Sequence, residues 1–236
     1  MAVLSRSCGG VLVSSGSCGC LLPEEETVPT TDHYHHGDLK NALIQAGVDI
    51  LASEGVGGLT LRKAAKQAHV SHAAPYAHFA DKQELIAAIS TEGYRKVYER
   101  MDLAGRTWAG DPLRVLVETA WAYVKFAQDE PAHFQVTLSG VVEREQDYPP
   151  LMEATQECFG LLRQVVLQAQ QARILRPAPA DLMAVSVWGA VHGLVLLALN
   201  GQISHTVLES FTMRQMLVFT LQQYCLAEIP KDLQEE

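Results

Sequence analysis

The sequence predicts an all-α protein. Apolar residues recur at the steps of three and four that place them on one face of a helix, as in Leu39, Leu43, Ala46 and Ile50. No segment shows the alternation of apolar and polar residues that marks a half-buried strand. Capping residues precede the helical segments, and Gly or Pro follows them, so the chain is expected to form a series of separate helices.

Length and charge limit the possible functions. The chain has 236 residues, 48% of them hydrophobic, and can therefore form a substantial buried core. Its net charge of −9 is unlike that of a general nucleic-acid binder. The charge is uneven, because residues 33–100 carry eight Lys and Arg against seven Asp and Glu, whereas the flanking segments are acidic. This distribution favours a protein that touches DNA with one end only.

Residues 1–32 show neither a helical nor a strand period and are predicted to form a disordered tail. The pair Cys18-Gly-Cys20 has no further ligand at the spacing that a metal site needs. Gly and Ser interrupt the apolar run, which argues against a signal peptide. The remaining cysteines, Cys158 and Cys225, are too few for a disulfide framework. These features predict a cytoplasmic protein.

The first predicted helix begins at Asp38, which can cap it, and ends at Gly55. A His-rich segment at 33–36 precedes it, and its side chains are expected to lie against DNA or solvent rather than around a metal. Lys40, in the first turn, is a candidate phosphate contact, with a solvated lysine as the alternative.

Residues 60–79 have the pattern of two short helices joined by a tight turn. Thr60 can cap the first helix, which has small apolar residues between Leu61 and Ala68, and Ser71 can cap the second. Small side chains allow the close, steep crossing of a helix-turn-helix, whose second helix would present polar groups to a duplex. The candidate DNA contacts are Lys40, Thr60, Arg62, Ser71, His72, Ala74, Pro75, Tyr76, His78 and Lys82.

This segment resembles the DNA-binding motif of the tetracycline-repressor-like (TetR) regulators, through the Tyr-x-His-Phe sequence at 76–79 and Lys82. A second motif, at residues 188–193, is similar to the Trp-x-x-x-His-Gly signature in the ligand domain of one TetR subgroup. Two positions depart from the pattern. Ala77 stands where the subgroup often has Arg, and His69 replaces the usual turn glycine, whose backbone commonly has positive φ.

The resemblance implies a ligand-responsive repressor that needs no cofactor. In such a regulator an empty homodimer holds its two recognition helices about 34–36 Å apart, on successive major grooves of double-stranded operator DNA. A small-molecule effector favours a different head spacing, so that affinity for the operator falls. We therefore expect residues 33–80 to form the DNA-binding head, residues 81–228 the ligand-binding and dimerisation domain, and residues 229–236 a tail.

The helix after the motif starts at a capping-box-like sequence, Asp81 to Glu84, and is predicted to run to about Ala104. Its interior contains Gly93, which costs about 1 kcal/mol relative to alanine in a helix. Either close packing against another element or a requirement for bending explains a glycine at this position.

Further helices are predicted over 111–131, 132–139, 151–174, 182–203 and 206–227. Their aromatic residues are first of all core residues, but as a set they can line an apolar pocket. His192 adds an interior polar group that either engages a ligand or bonds to the protein's own backbone. The candidate ligand-binding residues are Trp121, Phe126, Phe134, Phe159, Trp188 and His192.

Residues 182–203 contain no Lys, Arg, Asp or Glu and have the length that spans a bilayer, about 20 residues. The polar residues His192, Asn200 and Gln202, and the lack of flanking basic anchors, favour burial in protein and no membrane contact. This helix and the last one have more apolar surface than one contact needs, which predicts a four-helix seam between two subunits. The candidate interface residues are Val195, Leu199, Leu217 and Leu221.

Two alternatives are compatible with the sequence. One is a metal-sensing regulator that uses His133, His192 or the N-terminal cysteines. The other is a helical adaptor that binds a protein partner and never DNA. An enzyme is not expected, because no phosphate-binding loop, His-Glu-x-x-His sequence or Ser/His/Asp set occurs at a recognisable spacing.

Overall fold

Helices make up the regular secondary structure of the computed structural model, which describes residues 36–138 and 140–235. The tail predicted for residues 1–32 lies outside this range. The described residues form α1 (His36–Gly58), α2 (Leu61–Gln67), α3 (Lys82–Thr107), α4 (Pro112–Asp129), α5 (Pro131–Leu138), α6 (Pro149–Gln171), α7 (Ala180–Leu199), α8 (His205–Ser210) and α9 (Met213–Gln222). Short 3-10 turns lie at Ala74–Ala77, Glu145–Asp147 and Lys231–Leu233. The predicted all-α class is confirmed.

Helix α1 begins at His36, so Asp38 lies inside its first turn and is not the cap that the sequence predicted. Gly55 has φ 70° and ψ −175°, which interrupts the helical geometry at the residue where the helix was expected to end. Glycine adopts this conformation without the steric cost that a side chain would bring. The inner face of α1, with Leu43 and Ile50 buried, packs on α2, α3 and α5.

The described chain has two hydrophobic cores, and α3 contributes to both. The first core joins α1, α2 and the start of α3, where Leu85 and Ile89 are fully buried, and includes Val136 of α5. The second core joins the rest of α3, with Val97 and Met101, to α4, α6, α7 and α9. Burial of each large aliphatic side chain contributes about 1.5–3 kcal/mol, so both cores fix the position of α3. One long helix therefore links the two cores.

Gly93 lies where α5 crosses α3. A Cβ atom at this position would be 1.8 Å from Thr137 Oγ1 and 2.9 Å from Thr137 Cβ. The Thr137 hydroxyl is held there because it donates a hydrogen bond to the His133 carbonyl oxygen at 2.8 Å. Close packing is thus the explanation of this glycine that the structure supports, and α3 continues through it from Lys82 to Thr107.

The single helix predicted over 206–227 is wrong, because the structure divides it into α8 and α9. Phe211 is extended between them, with φ −138° and ψ 136°. Thr212 then starts α9 with a capping box: its side chain accepts from the Gln215 amide, and the Gln215 side chain accepts from the Thr212 amide. These reciprocal bonds stabilise a new helix start in the middle of the apolar pattern.

Residues 229–233 are packed against the body, which corrects the tail predicted for this segment. Ile229 and Leu233 are buried in the second core. The Leu233 carbonyl oxygen accepts a hydrogen bond from Arg214 Nε at 3.0 Å. Arg214 is itself 5% exposed and forms an ion pair with Glu118 at 2.6 Å, so its charge is balanced.

Candidate functional site

Helix α2 starts as the sequence predicts. The Thr60 hydroxyl oxygen accepts a hydrogen bond from the Lys63 amide at 3.1 Å, which satisfies a free donor of the first turn. Ala64 and Ala65, on its inner face, are completely buried. Side chains of this size allow α2 to pack closely on α1 and on the segment that follows the turn.

The turn after α2 keeps a positive φ with a histidine in place of glycine. His69 has φ 56°, as expected for this position. Its amide donates to the Lys66 carbonyl oxygen at 3.2 Å, and the Val70 amide donates to the Ala65 carbonyl oxygen at 3.0 Å. This pair of bonds is a Schellman motif, in which the left-handed residue closes the helix end. The local backbone therefore determines the conformation of His69.

The second helix of the motif is reduced to a single 3-10 turn, Ala74–Ala77. The Ser71 side chain does not cap it, because Ala73 occupies the position before the turn and the Ser71 carbonyl oxygen accepts from the Ala74 amide at 3.0 Å. Pro75 explains the shortening, since it has no amide hydrogen to donate to the carbonyl four residues earlier. The helix cap predicted at Ser71 is therefore wrong.

The predicted DNA contacts differ in exposure. Pro75 is buried and can contact no ligand at the surface, and the half-buried residues are Ala74, His78 and Lys82. Lys66, on the outer face of α2, is also exposed and was not among the predicted contacts. The exposed candidates offer hydroxyl, imidazole, ammonium and guanidinium groups suited to phosphate oxygens, and are Lys40, Thr60, Arg62, Ser71, His72 and Tyr76.

Two of the half-buried residues are directed toward the protein. Lys82 Nζ donates to the Val56 carbonyl oxygen at 3.3 Å, next to the interruption of α1 at Gly55. His78 Nε2 is buried and has no hydrogen-bond partner among the described residues. Contact with a phosphate would require both side chains to turn outward from these positions.

A partly open cavity of about 250 Å³ lies at the edge of the second core, and its lining residue Trp188 is exposed. Burial raises the pKa of the Cys158 thiol and of the Tyr94 hydroxyl, each to about 12, so both groups are uncharged at neutral pH. A largely apolar wall with a few polar groups is typical of small-molecule sites. The lining residues are Tyr94, Val97 and Met101 of α3, Tyr123 of α4, Leu138 of α5, Thr155, Cys158, Phe159 and Leu162 of α6, and Trp188 of α7.

A hydrogen-bonded chain of three side chains borders this cavity. Trp188 Nε1 donates to the Tyr123 hydroxyl at 3.3 Å, and this hydroxyl lies 2.7 Å from His192 Nδ1. Burial raises the pKa of Tyr123 and lowers that of His192, so both are neutral at pH 7. We assign the shared hydrogen to the Tyr123 hydroxyl, because 2.7 Å is typical of an O–H donor and shorter than most N–H bonds. In this assignment His192 carries its proton on Nε2, and the Tyr123 oxygen accepts only the bond from Trp188.

The structure brings five of the six predicted ligand residues together. Phe159 and Trp188 line the cavity, while Phe134 is buried behind it with its ring 5.8 Å from that of His192. Phe126 packs on Phe134 at 6.1 Å and does not reach the cavity.

Trp121 is the exception among the predicted ligand residues. The guanidinium of the buried Arg214 lies 5.3 Å from its ring centre, beside Glu118, and both are outside the cavity lining. Trp121 precedes Tyr123 by two residues, and this spacing turns the two side chains to different sides of α4. Trp121 is therefore not a lining residue of this cavity.

Sequence reasoning missed the residues that complete the cavity. Tyr94, Cys158 and Leu162 come from α3 and α6, and no local pattern marks them as neighbours. Tyr123 was one of several aromatic residues in a helical pattern, and its contacts with Trp188 and His192 join positions 65 and 69 residues apart. Only the fold reveals them.

The histidines proposed for metal sensing have other partners. His133 is buried, its Nε2 donates to the Ile89 carbonyl oxygen at 2.9 Å, and its Nδ1 lies 3.4 Å from Lys96 Nζ. Lys96 in turn pairs with Glu130 at 2.9 Å. In residues 36–138 and 140–235 no group of three or more His, Cys, Asp or Glu side chains is arranged to hold a metal ion.

The predicted interface residues lie mostly inside the subunit. Val195, Leu217 and Leu221 belong to the second core with at most 2% exposure, and Leu199 is half-buried against it. Helices α7 and α9 expose other apolar side chains, namely Leu182, Val185, Leu197 and Phe219. We call these four residues the outer apolar face. The helical period alone did not show which side of an apolar helix turns inward.

Helix α7 also meets the length and hydropathy criteria for a membrane span. Its mean hydropathy is 2.1, and 28% of the apolar window is buried within the subunit. A helix of this kind occurs at protein interfaces as well as in bilayers, so the criteria alone do not distinguish the two.

Two family models match this chain. Residues 43–89 match the model described as bacterial regulatory proteins, tetR family, and residues 116–218 match a tetracyclin repressor-like, C-terminal domain. The two segments together make up more than half of the chain.

Individual proteins agree with these matches. The chain is 25% identical over 111 residues to YobS of Bacillus subtilis (strain 168), an uncharacterized HTH-type transcriptional regulator, a match that spans 47% of this chain and 57% of YobS. A protein with unknown function from Rhodococcus sp. RHA1 is 26% identical, with a TM-score of 0.68 over 82% of this chain and 96% of that one. A bacterial regulatory protein in the tetR family from Rhodococcus RHA1 shares the fold at 19% identity, with a TM-score of 0.65 over 80% and 98%.

Proposed function

The chain belongs to the tetracycline-repressor (TetR) family of DNA-binding transcription regulators, and we propose that it is a homodimeric repressor released from its operator by a small, largely apolar molecule. Members of this family are typically ligand-responsive repressors. One observation carries the proposal: α3 begins at the recognition segment and lines the cavity with Tyr94, Val97 and Met101. A change at the cavity can therefore reach the DNA-binding head through one rigid element.

The DNA-contacting surface in this proposal is the exposed side of α2 and the recognition segment. Arg62, Ser71, His72 and Tyr76 supply donors for phosphate oxygens and base edges. The near-neutral charge of residues 33–100 supports this orientation, because the rest of the chain is acidic and would be repelled by the duplex. The head comprises residues 33–80 and the effector domain starts at residue 81.

The proposed second subunit covers the outer apolar face. Leu182, Val185 and Leu197 of α7 and Phe219 of α9 are between 46% and 71% exposed in one subunit. Helices α7 and α9 are in contact, and exposed apolar side chains on adjoining helices favour an interaction site. Two helices from each of two copies form a four-helix seam. A dimer also accounts for the apolar character of α7 without a membrane, in a cytoplasmic protein.

The Trp188 to Gly193 sequence supports placement in the Trp-x-x-x-His-Gly subgroup. Its Trp and His side chains both join the Tyr123 hydroxyl, so the motif contributes to the effector site in this proposal.

Binding of the purified protein to its own promoter fragment tests the proposal. Affinity should fall steeply with salt, because each neutralised phosphate releases counterions. Arg62→Ala should weaken binding and reduce the salt slope by about one. Arg106→Ala is the matched control, since Arg106 is exposed near the far end of α3 and pairs with Asp102. Absence of promoter binding, or equal effects of both variants, would refute the proposal.

A further inference from the structure

Among the described residues, the lining of the 250 Å³ cavity contains no Lys, Arg or His side chain to balance an anionic ligand. Lys96 and Arg100, which follow Tyr94 along α3, pair instead with Glu130 at 2.9 and 2.7 Å. His192 is the one ionisable base bonded to the lining, and burial disfavours its charged form. Transfer of a carboxylate into these surroundings is unfavourable, because no cationic side chain of the described lining compensates for the water that the carboxylate loses.

Most polar groups of the lining are already bonded to the protein. The Thr155 hydroxyl donates to a backbone carbonyl oxygen at 2.7 Å, and the Cys158 thiol donates to another at 3.1 Å. Neither group needs a ligand to satisfy its hydrogen. They therefore contribute little to the choice between an apolar and a polar effector.

Two hydroxyl groups of the described lining remain. The Tyr94 hydroxyl has no hydrogen-bond partner among the described residues, so it can turn toward a ligand donor or acceptor alike. The Tyr123 hydroxyl is held in place by His192 at 2.7 Å, to which we assign its hydrogen, and by one long bond that it accepts from Trp188 at 3.3 Å. One lone pair remains available to a donor inside the cavity. A ligand hydroxyl can donate to it, whereas a hydrocarbon covers the oxygen and leaves it unpaired.

Size and shape set a further limit. A volume of about 250 Å³ lies just below the range of about 300–1,000 Å³ found for drug-sized ligands. Aromatic rings from Tyr94, Phe159 and Trp188 form much of the wall, and aromatic rings pack well against one another. The cavity thus suits a compact molecule of one or two rings.

We propose that the effector is an uncharged one- or two-ring molecule with a hydroxyl group that donates to the Tyr123 oxygen, and that the cavity rejects carboxylates of the same size. This inference rests on the proposed function, because it names the effector class of the same cavity. The Tyr123–Trp188–His192 chain fixes the position of the accepting oxygen and thereby selects the hydroxyl.

Calorimetric titration with three matched probes tests the inference: 1-naphthol, naphthalene and 1-naphthoate. We expect 1-naphthol to bind the full-length protein about two- to tenfold more tightly than naphthalene, as one added hydrogen bond provides. We expect 1-naphthoate to bind at least about tenfold more weakly than 1-naphthol. Tyr123→Phe should bring the affinities for 1-naphthol and naphthalene within about twofold of each other.

Tyr224→Phe is the control variant. It removes a hydroxyl that donates to the Ser186 carbonyl oxygen of α7 at 3.0 Å, from the segment that follows α9, and neither residue belongs to the cavity lining. This variant should keep the preference for 1-naphthol. Circular dichroism checks that both variants are folded, and if Tyr123→Phe is not, the order of the three probes on the unchanged protein decides.

The inference is overturned if no probe binds, if 1-naphthoate comes within tenfold of 1-naphthol, or if folded Tyr123→Phe keeps the preference for 1-naphthol. Promoter binding is measured separately on the same preparation. Selective binding of 1-naphthol by a protein that does not bind its promoter would refute the proposed function and leave the effector class standing. Promoter binding by a protein that does not prefer 1-naphthol would support the proposed function and refute the effector class.

Discussion

Substitution of Gly93 by alanine tests the close crossing of α3 and α5. The new Cβ atom would be 1.8 Å from Thr137 Oγ1 and 2.9 Å from both Thr137 carbon atoms nearest to it. Rotation of the Thr137 side chain cannot relieve the contact with its Cβ atom, and would also break the hydroxyl bond to the His133 carbonyl oxygen. The two helices must therefore move apart.

The magnitude follows from a comparison with a second glycine of the same helix. Gly105→Ala meets nothing closer than Thr119 Oγ1 at 4.0 Å, so it should gain most of the helix propensity of alanine, about 1 kcal/mol. Gly93→Ala has the same gain but adds overpacking, which costs about 1–3 kcal/mol. The difference between the two variants isolates the packing term, and we expect Gly93→Ala to be less stable by about 1–3 kcal/mol.

Urea unfolding followed by circular dichroism measures this difference. All variants are compared at one protein concentration, because the stability of a dimer depends on concentration. Thr137→Ala removes the hydroxyl and one methyl group, so it should reduce the cost of Gly93→Ala in the double variant. Equal stability of Gly93→Ala and Gly105→Ala would contradict the close crossing.

Three further outcomes are expected. His69→Gly should be neutral or stabilising by up to about 1 kcal/mol, since it removes a side chain at φ 56°, and a loss of more than about 1 kcal/mol in urea unfolding would contradict this. Burial lowers the pKa of His192 in the folded state, so the unfolded state takes up a proton at a higher pH than the folded state does. The free energy of unfolding should therefore fall as the pH drops below about 6.5. His192→Gln should show a smaller fall over the same pH range. Leu197→Glu should give folded monomers in sedimentation, with weakened promoter binding, because Leu197 is exposed on one subunit. Val195→Glu should unfold the subunit, because it puts a charge into the core. A Leu197→Glu variant that remains dimeric would place the interface elsewhere.

Local signals allowed the correct prediction of several helix ends. The cap at Thr60 depends on residues within one turn, as does the start of α3 at Asp81, whose side chain accepts from the Glu84 amide at 2.9 Å. The positive φ of His69 was expected from the family resemblance. A short-range bond needs only a few neighbours in the correct order, so it can be inferred from the sequence.

Two wrong predictions, the single helix over 206–227 and the second helix of the motif, concern segments that contain a local signal for the observed structure. Thr212 and Gln215 have the spacing of a capping box, but the apolar pattern around them suggested one continuous helix. Residues 71–79 were expected to form a second helix, and Pro75 instead limits the segment to one 3-10 turn. In both cases the backbone bonds were stronger evidence than the hydrophobic period.

The other errors have a long-range cause. The sequence showed that α7 is apolar on every side, but whether Val195 or Leu197 faces the core depends on how α7 lies against α4, α6 and α9. The effector cavity depends in the same way on contacts between distant helices, such as the bond from Trp188 to Tyr123. Spacing along one helix carries no information on these pairings.

Helix α5 lies between the cavity and the first core and contacts both. Phe134 lies edge-on to Tyr123 with ring centres 5.4 Å apart, while Val136, half a turn further, is buried in the first core with α1. Thr137 contacts α3 at Gly93, where even one added carbon would not fit. A ligand that displaces Phe134 should therefore move α5 as a unit, because a short helix that is closely packed on both sides has no free volume in which one side chain can move alone. The same contacts that make Gly93→Ala costly would carry that movement to α3 and the DNA-binding head.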